Sequence, residues 1–139
     1  MSHRERQFDL LPSVTLAAAR SGVLSDVHWV PLGNRTLTVQ AAFAYGSGGT
    51  NVKAWVQTTL DDGASWIDIM CFAFTTSAAT KVQAVRQYIA LAADTTPTDG
   101  TLADNTIVDG LMGDRIRVKW TSTGTYAGDS SLHLSAMFG

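Results

Sequence analysis

The amino-acid sequence predicts an all-β protein, an antiparallel β-sandwich of about eight strands that we expect to be a jelly roll. Apolar and polar residues alternate with a period of two along most of the chain, which is the pattern of half-buried strands. Clusters of Gly, Asp, Pro and Ser separate these segments and are typical of turns. Neither a convincing amphipathic helix nor the spacing of a β-α-β unit occurs, so we do not expect a parallel sheet.

Alternation is clearest in the segment 36–45. Leu37, Val39 and Phe43 share one face there, while polar side chains share the other, so this strand is expected to have one buried side. The other segments are assigned in the same way. The predicted strands cover residues 14–19, 25–32, 36–45, 52–60, 66–74, 80–89, 114–123 and 130–138.

One segment also fits a helix. Val82, Val85 and Ile89 lie at helical spacing within residues 78–93. The β-branched residues and the start at Thr80 suit a strand as well, and we predict a strand here.

The length of the chain predicts a single domain. Its 139 residues, 45% of them hydrophobic, suffice for one core but not for two independent cores. We expect residues 1–13 to form an N-terminal arm and residues 14–139 to form the sandwich. The segment 94–114 is too long for a simple connection in so small a domain, so we expect it to cover or contact something.

Charge, cysteine content and hydropathy argue against several classes of function. Charged residues make up 16% of the chain and the formal net charge is −2, so no nucleic-acid partner is indicated. Cys71 is the only cysteine, which excludes an intrachain disulfide and a cysteine zinc site; it lies in an apolar run and is expected to be a core thiol. No signal peptide is recognisable, and no apolar run approaches the roughly 20 residues of a membrane span, so we expect a soluble product made in the cytoplasm, without a membrane partner.

Residues that could support catalysis are not grouped in the sequence. His3, His28 and His133 lie in the arm and in two predicted strands, and no G-x-S-x-G nucleophile motif accompanies them. Nearly all aspartates fall in turns, where Asp caps the backbone, and nothing indicates the facing pair that a glycosidase needs. We therefore predict no enzyme activity, no catalytic residues and no cofactor.

The long segment raises the question of a calcium site. Asp94, Asp99, Asp104 and Asp109 recur along it, and calcium binds carboxylate and carbonyl oxygens of flexible loops. Their spacing misses the EF-hand pattern, so a solvated acidic loop is the preferred interpretation and no metal ligand is predicted.

Three aromatic residues are candidates for contact with a partner. Trp55 falls on the polar face of a predicted strand, and Trp29 and Tyr126 lie in the segments HWVPLG and TGTYAG. Such side chains stack on sugar rings in carbohydrate-binding modules, and they suit a protein interface equally well. The sequence leaves both alternatives open.

A basic stripe is expected on the segment 114–123. Arg115, Arg117 and Lys119 alternate with apolar residues and should line the outer face of this strand. They could touch nucleic acid or an acidic neighbour, but such a stripe is more often a solvated face or a protected strand edge, which is the interpretation preferred here.

The octet TLDDGASW resembles the Asp-box, a β-hairpin motif known from sialidases and several unrelated β folds. Asp61, Gly63 and Trp66 match the motif. The motif begins with Ser and has Thr before its Trp, whereas this chain has Thr59 and Ser65 at those two positions. The resemblance implies that Asp61 caps the turn, that Gly63 takes the positive-φ position and that Trp66 packs under the hairpin. The motif is structural where it occurs, and sialidase propellers repeat it whereas this chain contains it once, so no sialidase is expected.

A broader resemblance covers much of the chain. The segments FAYGSGGTNVKAWVQTTLDDGASWIDIMCFAF and LMGDRIRVKWTSTGTYAG resemble small structural proteins of tailed phages and phage-like elements. The resemblance implies a β-sandwich virion subunit, such as a capsid decoration, head-spike or tail accessory protein. Its expected partners are the major capsid protein or other virion proteins, with homo-oligomers in the assembly and with the arm and the segment 94–114 as contact elements. A carbohydrate-binding module for host recognition is the alternative.

Overall fold

The computed structural model describes residues 7–87 and 89–139, and it confirms the all-β prediction. The described residues form strands and no helix, so none of them forms a helix that could cross a membrane. The strands are β1 (Gln7–Thr15), β2 (Arg20–Leu24), β3 (His28–Trp29), β4 (Thr36–Ala44), β5 (Ser47–Gly48), β6 (Asn51–Thr58), β7 (Ile67–Phe74), β8 (Ala79–Arg86), β9 (Arg115–Thr123), β10 (Tyr126–Ala127) and β11 (Ser131–Phe138).

The long strands build two antiparallel sheets that pack face to face as a sandwich. Sheet I has the order β1-β11-β4-β8, and sheet II has the order β2-β9-β6-β7, with the short β3 also paired to β9. The two-residue strands β5 and β10 pair with each other. Among the long strands, only β6 and β7 follow one another within one sheet, and every other connection crosses to the opposite sheet.

The core lies between the two sheets. Val39 and Leu134 from sheet I and Val56 and Val118 from sheet II have no solvent exposure. Burying a side chain of this size contributes about 1.5–3 kcal/mol. Strand β7 differs from the others because all of its residues are buried, so its outer face must be covered by another part of the chain.

Most predicted strands agree closely with the structure. Strands β4, β6, β7, β8, β9 and β11 correspond to the six predicted segments from residue 36 onward. Residues 79–86 form β8, so the helical alternative for that segment is wrong. The predicted strands 14–19 and 25–32 are misplaced, because the chain is instead extended over β1 and β2 and over only two residues of β3.

The predicted boundary of the N-terminal arm needs correction. Residues 7–13 belong to β1, which pairs with β11 along its length. Register shifts break the alternation within β1, so the adjacent Leu10 and Leu11 are both buried. Pro12 is tolerated because β1 is an edge strand. Residues 1–6 of the predicted arm lie outside the described residues.

Side chains of β8 bridge the two sheets beside β7. Lys81 Nζ donates to the backbone oxygen of Ala73 at 2.5 Å and lies 4.9 Å from the ring centroid of Phe74. Gln83 Nε2 donates to the backbone oxygen of Cys71 at 2.8 Å. These bonds, together with backbone hydrogen bonds from the segment 94–114, engage the edge of β7 that faces away from β6, so they hinder pairing of that edge with another strand.

The long loop, residues 94–114, covers the outer face of sheet II. The Asp68 carboxylate on β7 is 1% exposed. It accepts hydrogen bonds from the backbone N–H groups of Gly100, Thr101 and Leu102 at 2.8, 3.0 and 3.1 Å. Further backbone bonds join the loop to β7. What the long loop covers is therefore a sheet of its own domain.

The outward side of sheet I is not covered by any described residue, and we call it the open face. Its side chains include Gln7, Asp9, Thr38, Gln40, Ala42, Thr80, Val82, Ala84, His133, Ser135 and Met137, with Arg86 at the end of β8. Asp9 and His133 pair with each other, His133 Nε2 lying 2.8 Å from Asp9 Oδ1, and Arg86 pairs with Asp109 of the long loop.

The two ends of the sandwich are formed by different kinds of loop. The apolar end consists of residues 25–35, 59–66, 89–97 and 111–114. The glycine-rich end consists of residues 16–19, 45–50, 75–78 and 124–130. Strand β1 begins at the apolar end, because Gln7 pairs with Met137.

Candidate interaction surface

The apolar end exposes large hydrophobic side chains. Ten such side chains are exposed among the described residues, and six of them lie at this end. They are Val27, Trp29, Leu32, Leu60, Ile89 and Leu91. The loops of the glycine-rich end contain none of the ten. Apolar groups clustered on one part of a protein surface indicate a site of contact with another molecule.

The turn at residues 31–34 carries Leu32 outward. The N–H of Asn34 donates to the carbonyl oxygen of Pro31 at 3.3 Å. Gly33 has a φ of 85°, which glycine adopts without the steric cost of a side chain. Leu32 lies between Pro31 and Gly33 and is fully exposed. The turn itself does not require a leucine there, which makes Leu32 a candidate for contact with another molecule.

Trp29 is oriented by Arg115. Strand β3 places Trp29 opposite Arg115 on β9, and the guanidinium carbon lies 4.6 Å from the ring centroid. Arg115 in turn pairs with Asp62 at 2.5 Å and with Asp114 at 3.2 Å. The hydrogen bond to Asp62 raises the pKa of Arg115. Trp29 is thus held by its neighbours although 65% of it is exposed.

Two clefts adjoin these side chains. The first, of about 450 Å³, is lined by Phe8, His28, Trp29, Pro31, Leu32, Asn34 and Phe138. The second, of about 620 Å³, lies between Leu60 and Leu91. In the first cleft, Nε2 of His28 is buried and makes no hydrogen bond to any described residue. Clefts of this size accept side chains of a partner or a small ligand.

Charged residues at the apolar end are mainly acidic. Its four segments, taken together with the adjoining Arg115 at the start of β9, contain five aspartates and two arginines, which gives −5 + 2, a net charge of −3. These residues are Asp26, Asp61, Asp62, Asp94 and Asp114, with Arg35 and Arg115. The segments of the glycine-rich end contain a single charged residue, Asp129. A complementary partner surface would be apolar at its centre and basic at its rim.

The Asp-box-like hairpin joins β6 to β7 at the apolar end. Asp61 accepts hydrogen bonds from the hydroxyl of Ser65 at 2.5 Å and from its backbone N–H at 2.8 Å, and these bonds lower the pKa of Asp61. Gly63 has a φ of 86°, and its N–H donates to Oγ1 of Thr59 at 2.9 Å. The network fixes a compact turn, and the turn presents Leu60 to solvent.

The basic stripe is engaged within the chain and is not a solvated face. The guanidinium carbon of Arg117 lies 4.2 Å from the ring centroid of Trp66, and burial lowers the pKa of Arg117. Trp66 therefore packs against β9. Lys119 Nζ lies 3.0 Å from a carboxylate oxygen of Asp99 in the long loop. Through these contacts and the ion pairs of Arg115, the basic stripe holds loops against sheet II.

Two of the three aromatic candidates are buried, so the prediction that they are exposed is wrong. Trp55 is 6% exposed, because the long loop lies over it and the Leu102 carbonyl accepts its indole N–H at 3.1 Å. Tyr126 is 2% exposed, its hydroxyl donates to the Thr75 carbonyl at 2.7 Å, and burial raises its pKa. Only Trp29 remains available to a partner.

Other candidate groups for chemistry are engaged inside the domain. Asp104 pairs with Lys53 at 2.9 Å, and Asp109 pairs with Arg86 at 2.7 Å. Within residues 7–87 and 89–139, no group of three His, Cys, Asp or Glu side chains is placed to hold a metal ion. Cys71 is fully buried, as expected of a core thiol, and burial raises its pKa to about 11.

Sequence reasoning missed Leu32, Leu60 and Leu91 as surface candidates. A signal was present, because Leu32 and Leu60 are large apolar residues inside the turn sequences PLGN and TLDDG. Turns favour Gly, Pro, Asn, Asp and Ser for conformational reasons, and a leucine contributes nothing to them. In this chain the apolar residues inside these turns are exposed, whereas two of the three aromatic candidates are buried.

Comparison of the chain with protein-family models, curated proteins and solved structures gave no match.

Proposed function

We propose that this chain is a virion structural protein, an accessory or capsid-decoration subunit of a phage or phage-like particle. It binds the major capsid protein or a neighbouring virion protein through the apolar end. The observation that carries the proposal is the asymmetry of the sandwich, with six exposed large hydrophobic side chains at one end and none in the loops of the other. A subunit that attaches to a particle needs one end that binds the particle and another end that remains soluble when exposed to water.

Hydrophobic burial supplies the energy of this docking. Fully burying a side chain such as Leu32 contributes roughly 1.5–3 kcal/mol. Trp29 is suited to be a central contact because tryptophan is among the residues that dominate binding energy in interfaces, and Arg115 already fixes its ring. Binding therefore orders few side chains, and less free energy is lost on association.

The acidic charge of the apolar end selects the kind of partner. Its net charge of −3, five aspartates against two arginines, repels nucleic acid and anionic membrane surfaces and favours a protein with basic residues around an apolar patch. Two copies of the apolar end would repel each other for the same reason. We therefore expect binding that weakens as salt is added.

The sequence suggested the N-terminal arm and the segment 94–114 as contact elements, and the fold limits how much of each is available at the apolar end. Strand β1 begins with Gln7 at the apolar end, and residues 1–6 of the expected arm lie outside the described residues. The long loop is occupied on one side by its own sheet, and only its segments 94–97 and 111–114 belong to the apolar end.

The strand order supports a jelly roll. Numbered one to eight along the chain, the long strands lie in the order 1-8-3-6 in sheet I and 2-7-4-5 in sheet II. That order results when one long hairpin of paired strands folds over on itself and forms two Greek keys. Such a sandwich is a rigid body with loops at both ends, as this docking requires.

The amount of the chain in purified particles tests the proposal. Quantitative mass spectrometry should find it at a fixed ratio to the major capsid protein. A ratio near one identifies a decoration subunit, and a few copies per particle identify a tail, neck or spike subunit. Absence of the chain from particles made by cells that express it would overturn the proposal.

Paired variants assign the binding to the apolar end. Leu32→Asp should lower the occupancy of particles by at least about tenfold, because it removes an apolar contact and adds charge to an acidic rim. Thr76→Asp at the glycine-rich end is the matched control, since Thr76 is also exposed in a loop, and its occupancy should equal that of the wild type. Equal occupancy of the two variants would contradict docking through this end.

A host-recognition module that binds carbohydrate is the second candidate, and the exposure of Trp29 beside the first cleft favours it. Indole rings stack on sugars, and Asn34 supplies a polar group in the same cleft. A glycan array should then give binding that Trp29→Ala abolishes. An array without signal would remove this candidate and leave the structural proposal intact.

A further inference from the structure

We propose that the open face of sheet I is a self-association surface, on which a second copy of this chain packs face to face to form a two-fold dimer. This inference is independent of any particle, because it concerns a different surface from the apolar end. The two surfaces lie on different sides of the sandwich, so one subunit can use both at once.

The middle of the open face carries no charge. The outward side chains of its two central strands, β4 and β11, and of β8 are Thr, Gln, Ala, Ser, Val and Met, apart from His133 and the terminal Arg86. His133 pairs with Asp9 of the edge strand at 2.8 Å, and Arg86 pairs with Asp109 at 2.7 Å. The centre of a protein interface is depleted of charged residues in the same way.

A face with an uncharged centre, whose one carboxylate, Asp9, lies on an edge strand, suits a second copy better than it suits a charged partner. In a two-fold dimer the same patch meets itself, so a patch with a net charge would repel its own copy. The open face avoids this repulsion, whereas the acidic apolar end would not. Sheet II offers no comparable surface, because the long loop covers it.

Two apolar side chains and a depression give the face a shape that can fit itself. A shallow hollow of about 290 Å³ is lined by Gln7, Thr38, Gln40, Val82, Ser135 and Met137. Val82 and Met137 are 60% and 47% exposed and lie on strands on either side of β4. A two-fold axis in the plane of the interface, crossing β4 between Thr38 and Gln40, places Val82 of each copy opposite Met137 of the other.

The size of the face predicts a dimer of modest affinity. Four strands spaced about 4.8 Å apart, each about eight residues long at 3.3 Å per residue, cover roughly 500 Å² in projection. A standard interface buries about 800 Å² per partner, so this contact lies at the low end. We expect a dimer at tens of micromolar protein and monomers under strong dilution.

Sedimentation velocity of the purified chain from about 1 to 200 μM tests the proposal. The wild type should shift from monomer to dimer, and Val82→Lys and Met137→Lys should each raise the dissociation constant by at least about tenfold, because each buries an unpaired charge. Leu24→Lys is the control, since Leu24 is 50% exposed on sheet II, and it should dimerise like the wild type. Thermal unfolding checks that every variant is folded.

A charge-pair experiment tests the geometry. Neither Val82→Lys nor Met137→Asp should form homodimers, but a mixture should form heterodimers by native mass spectrometry, because lysine of one copy faces aspartate of the other. A wild type that stays monomeric at 200 μM would overturn the inference. So would a Val82→Lys protein that dimerises normally, or a mixture that forms no heterodimer although the wild type dimerises.

Discussion

Gly49 and Tyr126 form a close contact at the glycine-rich end. A Cβ atom at Gly49 would lie 2.3 Å from the Tyr126 ring, and its φ is 72°. Gly49→Ala should therefore lower the free energy of unfolding by about 2–4 kcal/mol, from backbone strain and a steric clash. Gly33→Ala is the matched control, because φ is 85° there but nothing lies within 4 Å, and it should cost only about 1 kcal/mol. Urea titration measures both, and equal losses would contradict the role given to Tyr126.

Carboxylates with lowered pKa values make stability depend on pH. Hydrogen bonds from Ser65 lower the pKa of Asp61, and those from Arg86 lower the pKa of Asp109. Such a group binds its proton more weakly when folded, so the stabilisation is present above the unfolded pKa of about 3.9 and is lost as the pH falls below it. Urea unfolding at pH 7, 5, 4 and 3 should give a decline mainly below pH 4. Asp109→Asn should make that decline shallower, and an unchanged slope would contradict this assignment.

Among the larger elements, the long loop depends on one buried carboxylate. Asp68 accepts three backbone N–H groups of the loop and the hydroxyl of Thr98 at 2.8 Å. Asp68→Ala leaves these donors unsatisfied and should cost about 3 kcal/mol. Amides 100–102 should then exchange faster with deuterium. Asp104→Asn, which breaks an exposed ion pair with Lys53, should cost less than about 1 kcal/mol. If amides 100–102 of the Asp68→Ala variant exchanged with deuterium as slowly as in the wild type, Asp68 would not anchor the loop.

Sequence periodicity predicted elements where alternation is regular. Strand β4 alternates without interruption, so its bounds followed from the sequence. The bounds of β1 could not be predicted from the sequence. Its register shifts bury the adjacent Leu10 and Leu11, which breaks the alternation, and Pro12 is typical of a loop. The prediction that Trp55 is exposed was wrong for another reason. Alternation identifies the outer face of a sheet but does not reveal a loop that folds over that face.

At the scale of the whole molecule, the sandwich has four different surfaces, namely the outer sides of its two sheets and its two ends. One sheet is sealed by the long loop, the other sheet is open and nearly uncharged, and the two ends differ in exposed apolar groups. The sequence predicted the sandwich but not these differences, because they depend on which loops meet at each end. Leu32 and Leu60 are 28 positions apart in the chain and come together at one end only through the fold. The proposed contacts with a particle and with a second copy follow from this arrangement.

The orientation of the subunit on its particle tests the central claim most directly. In a particle reconstruction by electron cryomicroscopy, the apolar end should face the particle, with residues 25–35 and 59–66 in contact with another protein. The glycine-rich end, including residues 45–50, should point to solvent. A reconstruction in which the glycine-rich end forms the contact and Leu32 faces solvent would contradict the account.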